Sequence, residues 1–193
     1  AYTTNDYTNY HLDFSKDHLD KVLEIQADHF QNLSYTEAQF KTEALTVKGE
    51  YLKNNARTIR KLLAAVRKEA FDTHTYKHTT MGFFEDVEAM PEQSVYGEKF
   101  FQQFYKPEYV SLVIVGDVEP TATMSMVEKH WGNWQKGDFV NNIAPEPKQL
   151  APKYVHEKFE GLPGHWLLVS YKGADWQPKK KDRAALDLIS ELY

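Results

Sequence analysis

The sequence contains no cysteine. Disulfides, cysteine-based zinc sites and thiol nucleophiles are therefore excluded, and the redox compartment is left open. Long hydrophobic runs are missing as well: no apolar stretch approaches the ~20 residues that a membrane-spanning helix needs. There is no glycine-rich phosphate loop, and no serine sits in a G-x-S-x-G elbow. Positive charge is in short supply. Lys and Arg number 23 against 28 Asp and Glu, for a net charge of −5 and no basic stripe, which argues against a nucleic-acid partner. The short run Lys179–Lys181 reads as a solvated helix start. No signal peptide is visible, but the chain does not begin with Met, so this absence carries little weight.

What is present is a chain of 193 residues, 41% hydrophobic and 14% aromatic, enough for one large domain or for one domain and part of a second. It opens in a strand-like pattern and ends inside a helical one, which suggests a piece truncated at both ends. Tyr7–Phe14 alternates, with Thr8, Tyr10, Leu12 and Phe14 on one face, as in a half-buried antiparallel strand. A helix follows, capped by Ser15 or Asp17, with Leu19, Val22, Leu23, Ala27 and Phe30 on its apolar face. Ser34 and Glu37 have capping-box spacing and open a second long helix. Its pattern continues past a break near Asn54-Asn55 to about Phe71. Residues 72–82 read as a polar loop, 83–90 as a helical turn closed by Pro91, and 94–105 as an aromatic-rich helix ended by Pro107.

Tyr109–Val118 is a nearly unbroken β-branched run and predicts a central strand covered on both faces. A helix from Glu119 to Trp131 follows, with Pro120 at a tolerated first-turn position. Residues 137–152, proline-rich and without periodicity, read as an interdomain linker. The pattern then restarts with strands near 154–159 and 165–171 around a Gly161–Gly164 turn. A helix from about Lys180 has Ala185, Leu188, Ile189 and Leu192 on its apolar face. The residues thus predict an α+β protein, an antiparallel sheet packed with long helices. A first domain spans 1–150 with its linker, and a second begins at 151–193.

Two features could carry chemistry. Glu43 and Glu50 lie seven positions apart within the second helix. At about 3.6 residues per turn both carboxylates point the same way. They border a stripe of Phe40, Ala44, Val47 and Tyr51. A carboxylate at the margin of a buried face needs a cation, a metal or several hydrogen bonds, whereas on a solvated helix edge it needs nothing. Gly49 beside them either admits a close neighbour or is incidental. His74 and His78 have the four-residue spacing of a helical metal pair, but Thr, Tyr and Lys surround them, so loop histidines are the better reading. Asp117, after Gly116, reads as a turn and helix-start signal.

Taken together the segments resemble the pitrilysin/insulinase (M16) family of zinc metallopeptidases, which also contains the mitochondrial processing peptidases. Ala1-Tyr2-Thr3 with Asp6, Thr8, Asn9 and Tyr10 is similar to the family's N-A-x-T…T-x-Y strand. Ala70-Phe71…His74-Thr75-Tyr76…Gly82 resembles A-F-x-x-H-P-Y…G, with Thr75 in place of proline. Phe104-Tyr105…Pro107 and Leu112–Asp117 resemble the Y-Y-x-P and V-V-V-G-D segments.

The resemblance implies a peptidase fold of this M16/LuxS-like type. By position Glu50 is the third zinc ligand and Glu43 a supporting acid. Ala1, Tyr2 and Thr3 belong to an edge strand that takes peptide substrate as an added strand. The family's H-x-x-E-H motif, which supplies two His ligands and the Glu that polarises water, occurs nowhere in this sequence. In the family it precedes the strand with which this chain begins, so truncation is the simplest account. The expectation is a fragment of a zinc endopeptidase. Zinc would be held by the full-length parent and not by this fragment, which by itself would be inactive. A second half or subunit is the expected partner. The alternative is a non-catalytic subunit of the same fold. The protein would be soluble, periplasmic or cytoplasmic in a bacterium, organellar in a eukaryote.

Overall fold

Segments with apolar residues three and four apart become helices: α1 (Leu19–Gln31), α2 (Glu37–Asn55), α3 (Thr58–Ala70), α4 (Phe84–Ala89), α5 (Ser94–Phe104), α6 (Pro120–Trp131) and α7 (Asp182–Leu192). Two short strands, β1 (Tyr2–Thr3) and β2 (Thr8–Asn9), form an antiparallel pair, so the class is α+β. The computed structural model describes residues 1–159, 164–173 and 181–192, in two units, Ala1–Glu157 and Lys158–Tyr193.

The first unit is held by an aromatic cluster centred on Phe30. Its ring lies 5.2 Å from Tyr10, 5.6 Å from Tyr105, 5.7 Å from Trp131 and 6.2 Å from Trp134. This joins the N-terminal extended segment to α1, the end of α5 and the end of α6. Burial, reinforced by the hydrogen bond between the Tyr10 and Tyr105 hydroxyls, pushes the Tyr105 phenol well above its usual range. Leu19, Leu23 and Ala27 bury the same face of α1 that the apolar spacing marks. Along the α1–α6 seam Asp20 accepts from Lys129 at 3.1 Å and lies 2.8 Å from His130 Nε2. The hydrogen bonds from His130 and Lys129 hold the Asp20 carboxyl below its ordinary range.

Helix α2 packs on the stretch from α4 to α5. Ala44 and Val87 are buried, Tyr51 lies against Phe84 with ring centres 5.5 Å apart, and Lys48 reaches Glu88 at 3.0 Å. Gly97 is needed in α5, because a Cβ there would meet the Phe40 ring at 2.6 Å. The cap of α2 differs from the expected Ser34–Glu37 box. Thr36 and Gln39 form it instead: Gln39 N–H donates to Thr36 Oγ1 at 3.2 Å, and Thr36 N–H to Gln39 Oε1 at 2.8 Å. Both pairs have the same spacing. The later one leaves Glu37 in the first turn, where a carboxylate favours the helix N-terminus. Ser15 precedes a 3-10 turn, Lys16–His18, and makes no side-chain cap. Glu119 caps α6, accepting from Thr121 and Ala122 N–H at 3.0 and 2.6 Å, and these bonds hold its carboxyl low.

The strand expectations need correction. Tyr7–Phe14 pairs only at Thr8–Asn9, and Leu12 and Phe14 are exposed. At Tyr109–Val118 the chain begins with a 3-10 turn, Pro107–Tyr109, and 110–115 joins no ladder among the described residues. Val113 and Val115, read as core on both faces, are 77% and 91% exposed. β-branched composition favours extended backbone, but a strand becomes part of a sheet only when a neighbour accepts its hydrogen bonds. Gly116-Asp117 does form a turn, closed by Val118 N–H on Gly116 O at 3.0 Å.

In the second unit, 164–173 likewise joins no ladder among the described residues, and α7 leaves Leu188 and Leu192 exposed. Of the expected Gly161–Gly164 turn all but Gly164 lies outside the described residues, as does the helix start at Lys180. No helix of the described residues is long and apolar enough to cross a membrane.

Two outcomes follow from this packing. A Cβ on Gly49 meets nothing within 4 Å. Gly49→Ala is therefore expected to stabilise by about 0.5–1 kcal/mol through helix propensity, read as a raised Tm. The second concerns acid. Because its folded-state pKa is lowered, Asp20 contributes stability above the ordinary carboxylate range and loses it as pH falls through the folded value. Thermal unfolding of Asp20→Asn should start below wild type near neutral pH, with the gap closing as pH falls below the ordinary carboxylate range.

Candidate functional site

Helix α2 carries both acidic candidates. Its packed face runs through Phe40, Ala44, Val47, Lys48 and Tyr51, and Glu43 and Glu50 lie on the arc beside it. Both side chains are exposed, and neither forms a hydrogen bond or ion pair among the described residues. The reading of a half-buried margin is thus only partly right: the adjoining face is packed, but nothing described covers the acids themselves. No group of three His, Cys, Asp or Glu that could hold a metal occurs among the described residues. One exposed carboxylate does not fit a zinc ion, which takes four ligands in a structural site and three protein ligands plus water in a catalytic one. The residues present therefore supply at most a single ligand, and no catalytic step can be assigned to them.

The histidine pair is spent locally. His74 precedes a 3-10 turn, Thr75–Lys77, and its Nδ1 accepts from Tyr76 N–H at 3.1 Å. His78 Nδ1 lies 2.8 Å from Thr79 O, and its ring sits 5.5 Å from Phe83. These are loop histidines, as their neighbours suggested.

The second candidate is the β1–β2 hairpin. Tyr2 pairs with Asn9 and Thr3 with Thr8, which leaves Asn5-Asp6 as a two-residue loop. Such loops usually need glycine or asparagine at positive φ, but no non-glycine residue described has positive φ. Here Thr4 does the work: its Oγ1 accepts from Asp6 and Tyr7 N–H at 3.3 and 3.1 Å, while Thr4 N–H donates to Tyr7 O at 2.8 Å.

That last bond fixes the phase of the ladder. Hydrogen-bonded and non-bonded pairs alternate along antiparallel strands, so Thr3 and Thr8 are a non-bonded pair. Their hydroxyls meet at 3.1 Å, as the closer side chains of such a pair allow. The N–H and C=O of Thr3 consequently point away from β2. That side of β1 has no strand partner among the described residues, and Ala1, Tyr2 and Thr3 are exposed.

Comparison with known proteins bears on the family. Residues 1–82 match the profile described as Insulinase (Peptidase family M16), and residues 98–192 that described as Peptidase M16 inactive domain. The chain belongs to the M16 peptidase family. It is 28% identical, over its whole length, to a zinc protease PqqE of Helicobacter pylori, of which it covers 43%. It is 21% identical, again over its whole length, to cytochrome b-c1 complex subunit 1 from the mitochondria of Bos taurus, of which it covers 39%. It thus spans about two-fifths of these curated relatives. Among solved structures, a protease from Helicobacter pylori superposes with a TM-score of 0.63 at 27% identity, covering 70% of this chain and 33% of that one. The first half of the periplasmic protease PqqL from Escherichia coli gives 0.56 at 15% identity, covering 70% and 28%, a likeness of fold alone.

Sequence reasoning missed what holds the hairpin. Asp6 accepts from the Tyr76 hydroxyl, and Asn5 Oδ1 accepts from Arg67 Nη1 at 3.0 Å. Those partners are 70 and 62 residues apart in sequence, and no local pattern joins them.

Proposed function

We propose that this chain is part of a zinc-dependent endopeptidase, the part that carries one acidic ligand, Glu50, a supporting acid, Glu43, and the strand edge that receives the peptide. The observation that carries the reading is the outward-facing backbone of Thr3 on an open strand. An extended peptide can pair there main chain to main chain, which tolerates many side chains. Tyr2 turns its own backbone groups inward to Asn9, so Ala1 and Thr3 are the residues that pair with substrate. The remaining metal ligands come from outside these residues, since those described do not fit the ion. In that parent the zinc would act as Lewis acid toward the peptide carbonyl.

Residues 151–193 open a second, similar domain on this reading, and the partner is a second half or subunit of M16 type. The exposed β-branched segment at 110–115 supports this, because a partner strand would cover it.

A second reading, a non-catalytic subunit, draws on the likeness to cytochrome b-c1 complex subunit 1, named as part of a complex and not as a protease. The presence of both Glu43 and Glu50 favours the peptidase, since a decayed site has no need of either.

Zinc content and peptide cleavage by the full-length protein separate the two. Glu50→Gln should lose most bound zinc and cleavage together; unchanged zinc occupancy would remove Glu50 from the ligand role. Residues 1–193 alone should bind no stoichiometric zinc. Thr3→Pro deletes the outward N–H and leaves the β1–β2 backbone bonds in place, at the loss of the Thr3–Thr8 hydroxyl contact; Thr3→Val, which loses that contact alone, is the control. Thr3→Pro should raise KM for peptides by about tenfold, the loss of roughly one hydrogen bond, with kcat and zinc unchanged. An unaltered KM would rule out this edge.

A further inference from the structure

The segment after α6 was read as a plain linker, yet one carboxylate in it is bound more completely than any group at the candidate site. Glu146 accepts from three successive backbone N–H groups: Asp72 at 2.9 Å, Thr73 at 3.0 Å and His74 at 3.0 Å. The Thr73 hydroxyl adds a contact at 3.3 Å and also donates to Pro145 O at 2.9 Å. Consecutive N–H groups that converge in this way form a concave cradle for an anion. The cradle arises because α3 ends at Ala70 and the 3-10 turn begins at Thr75, which leaves the N–H groups between them outside any ladder. A second tie lies beside it: Lys153 Nζ donates to Asp72 Oδ1 at 2.7 Å and to Glu69 O at 3.0 Å.

The loop so fixed is the one that holds the hairpin. His74 and Tyr76 pack edge to face with ring centres 4.4 Å apart, and Phe71 lies 5.8 Å from Tyr76. Tyr76 in turn donates to Asp6, at the tip of the β1–β2 turn. A continuous route therefore runs from Glu146 through residues 72–76 to Asp6, three residues from Thr3.

We propose that Glu146 is a positioning residue for the peptide-binding edge: by closing the 72–74 cradle it sets Tyr76, and through Tyr76 and Asp6 it fixes the pose in which β1 meets an incoming strand. This rests on the reading of β1 as that edge, and goes beyond it by making the segment that follows α6 in the first unit part of the substrate-binding apparatus. Thr73 and Tyr76 serve the same route. Glu146 touches neither substrate nor metal.

The test uses the full-length protein and two readouts. Glu146→Gln keeps the size but loses the charge and one acceptor oxygen, and Tyr76→Phe breaks the route at its other end. Each should raise KM for extended peptides by about tenfold, as expected when one charge-assisted hydrogen bond is lost, with kcat and zinc content unchanged. The double variant should be no worse than the worse single one, because both cut one path. Glu146→Asp should recover part of the loss.

Independently of any activity, amide exchange at Thr4, whose N–H closes the hairpin, should quicken in Glu146→Gln. Unchanged Thr4 exchange would overturn the positioning role, and so would additive KM effects or a uniform fall in kcat. Faster Thr4 exchange in a protein that cleaves no peptide would sustain the coupling while sinking the peptidase reading, so the two can fail separately.

Discussion

The cluster around Phe30 is the contact on which the arrangement of the first unit depends. Tyr10, Tyr105, Trp131 and Trp134 bring four separate parts of the chain to one ring. Aromatic side chains bury large areas, and edge-to-face pairs add to that burial. In this chain they carry unusual weight, because the buried hydrophobic residues of the core are few among those described: Leu19, Leu23, Ala27, Ala44 and Val87. The Asp20 pairing with Lys129 and His130 runs along the same α1–α6 seam and aligns the two helices that the cluster joins.

From that cluster the hairpin is held at both ends. Tyr10, just after β2, is fixed in the aromatic contact, while Asn5 and Asp6 at the turn are fixed by Arg67 and Tyr76. A two-stranded ladder of two residues per strand is marginal by itself. Anchors at its base and its tip let so short a ladder present a defined open edge. The α3–α4 loop, which carries Tyr76, is itself tied down by Glu146 and Lys153. The open strand edge, loop and following segment thus form one connected structure, although they are far apart in sequence.

The acidic helix α2 presents its two carboxylates to the surface. Glu43 and Glu50 stand exposed, beside a packed face but not in it. An exposed carboxylate costs nothing to keep charged, so α2 holds them without local compensation. Gly49, between Lys48 and Glu50, faces open space and has no packing role among the described residues.

Helices, their breaks and the family were legible in the sequence, because apolar spacing and proline position act over a few residues. Leu19, Leu23 and Ala27 mark the buried face of α1 directly, and Pro107 and Pro120 bound the elements expected. Spacing put Glu43 and Glu50 on one face but could not choose between a solvated edge and a ligand; the ligand role comes from the resemblance alone. Strands were overread. The run at 110–115 has the composition of a central strand, but pairing depends on a neighbour that composition does not name. The cap of α2 was misplaced by two residues because Ser34–Glu37 and Thr36–Gln39 satisfy the same rule.

By itself, then, the sequence determined the helices and their breaks, since these rest on interactions between residues a few positions apart, and the family, through the order and spacing of its segments. Only the tertiary structure decided which way Thr3 points and what grips Asp6. It also decided where the Glu146 carboxylate goes, because those bonds join residues about 60 to 75 positions apart and leave no periodic trace.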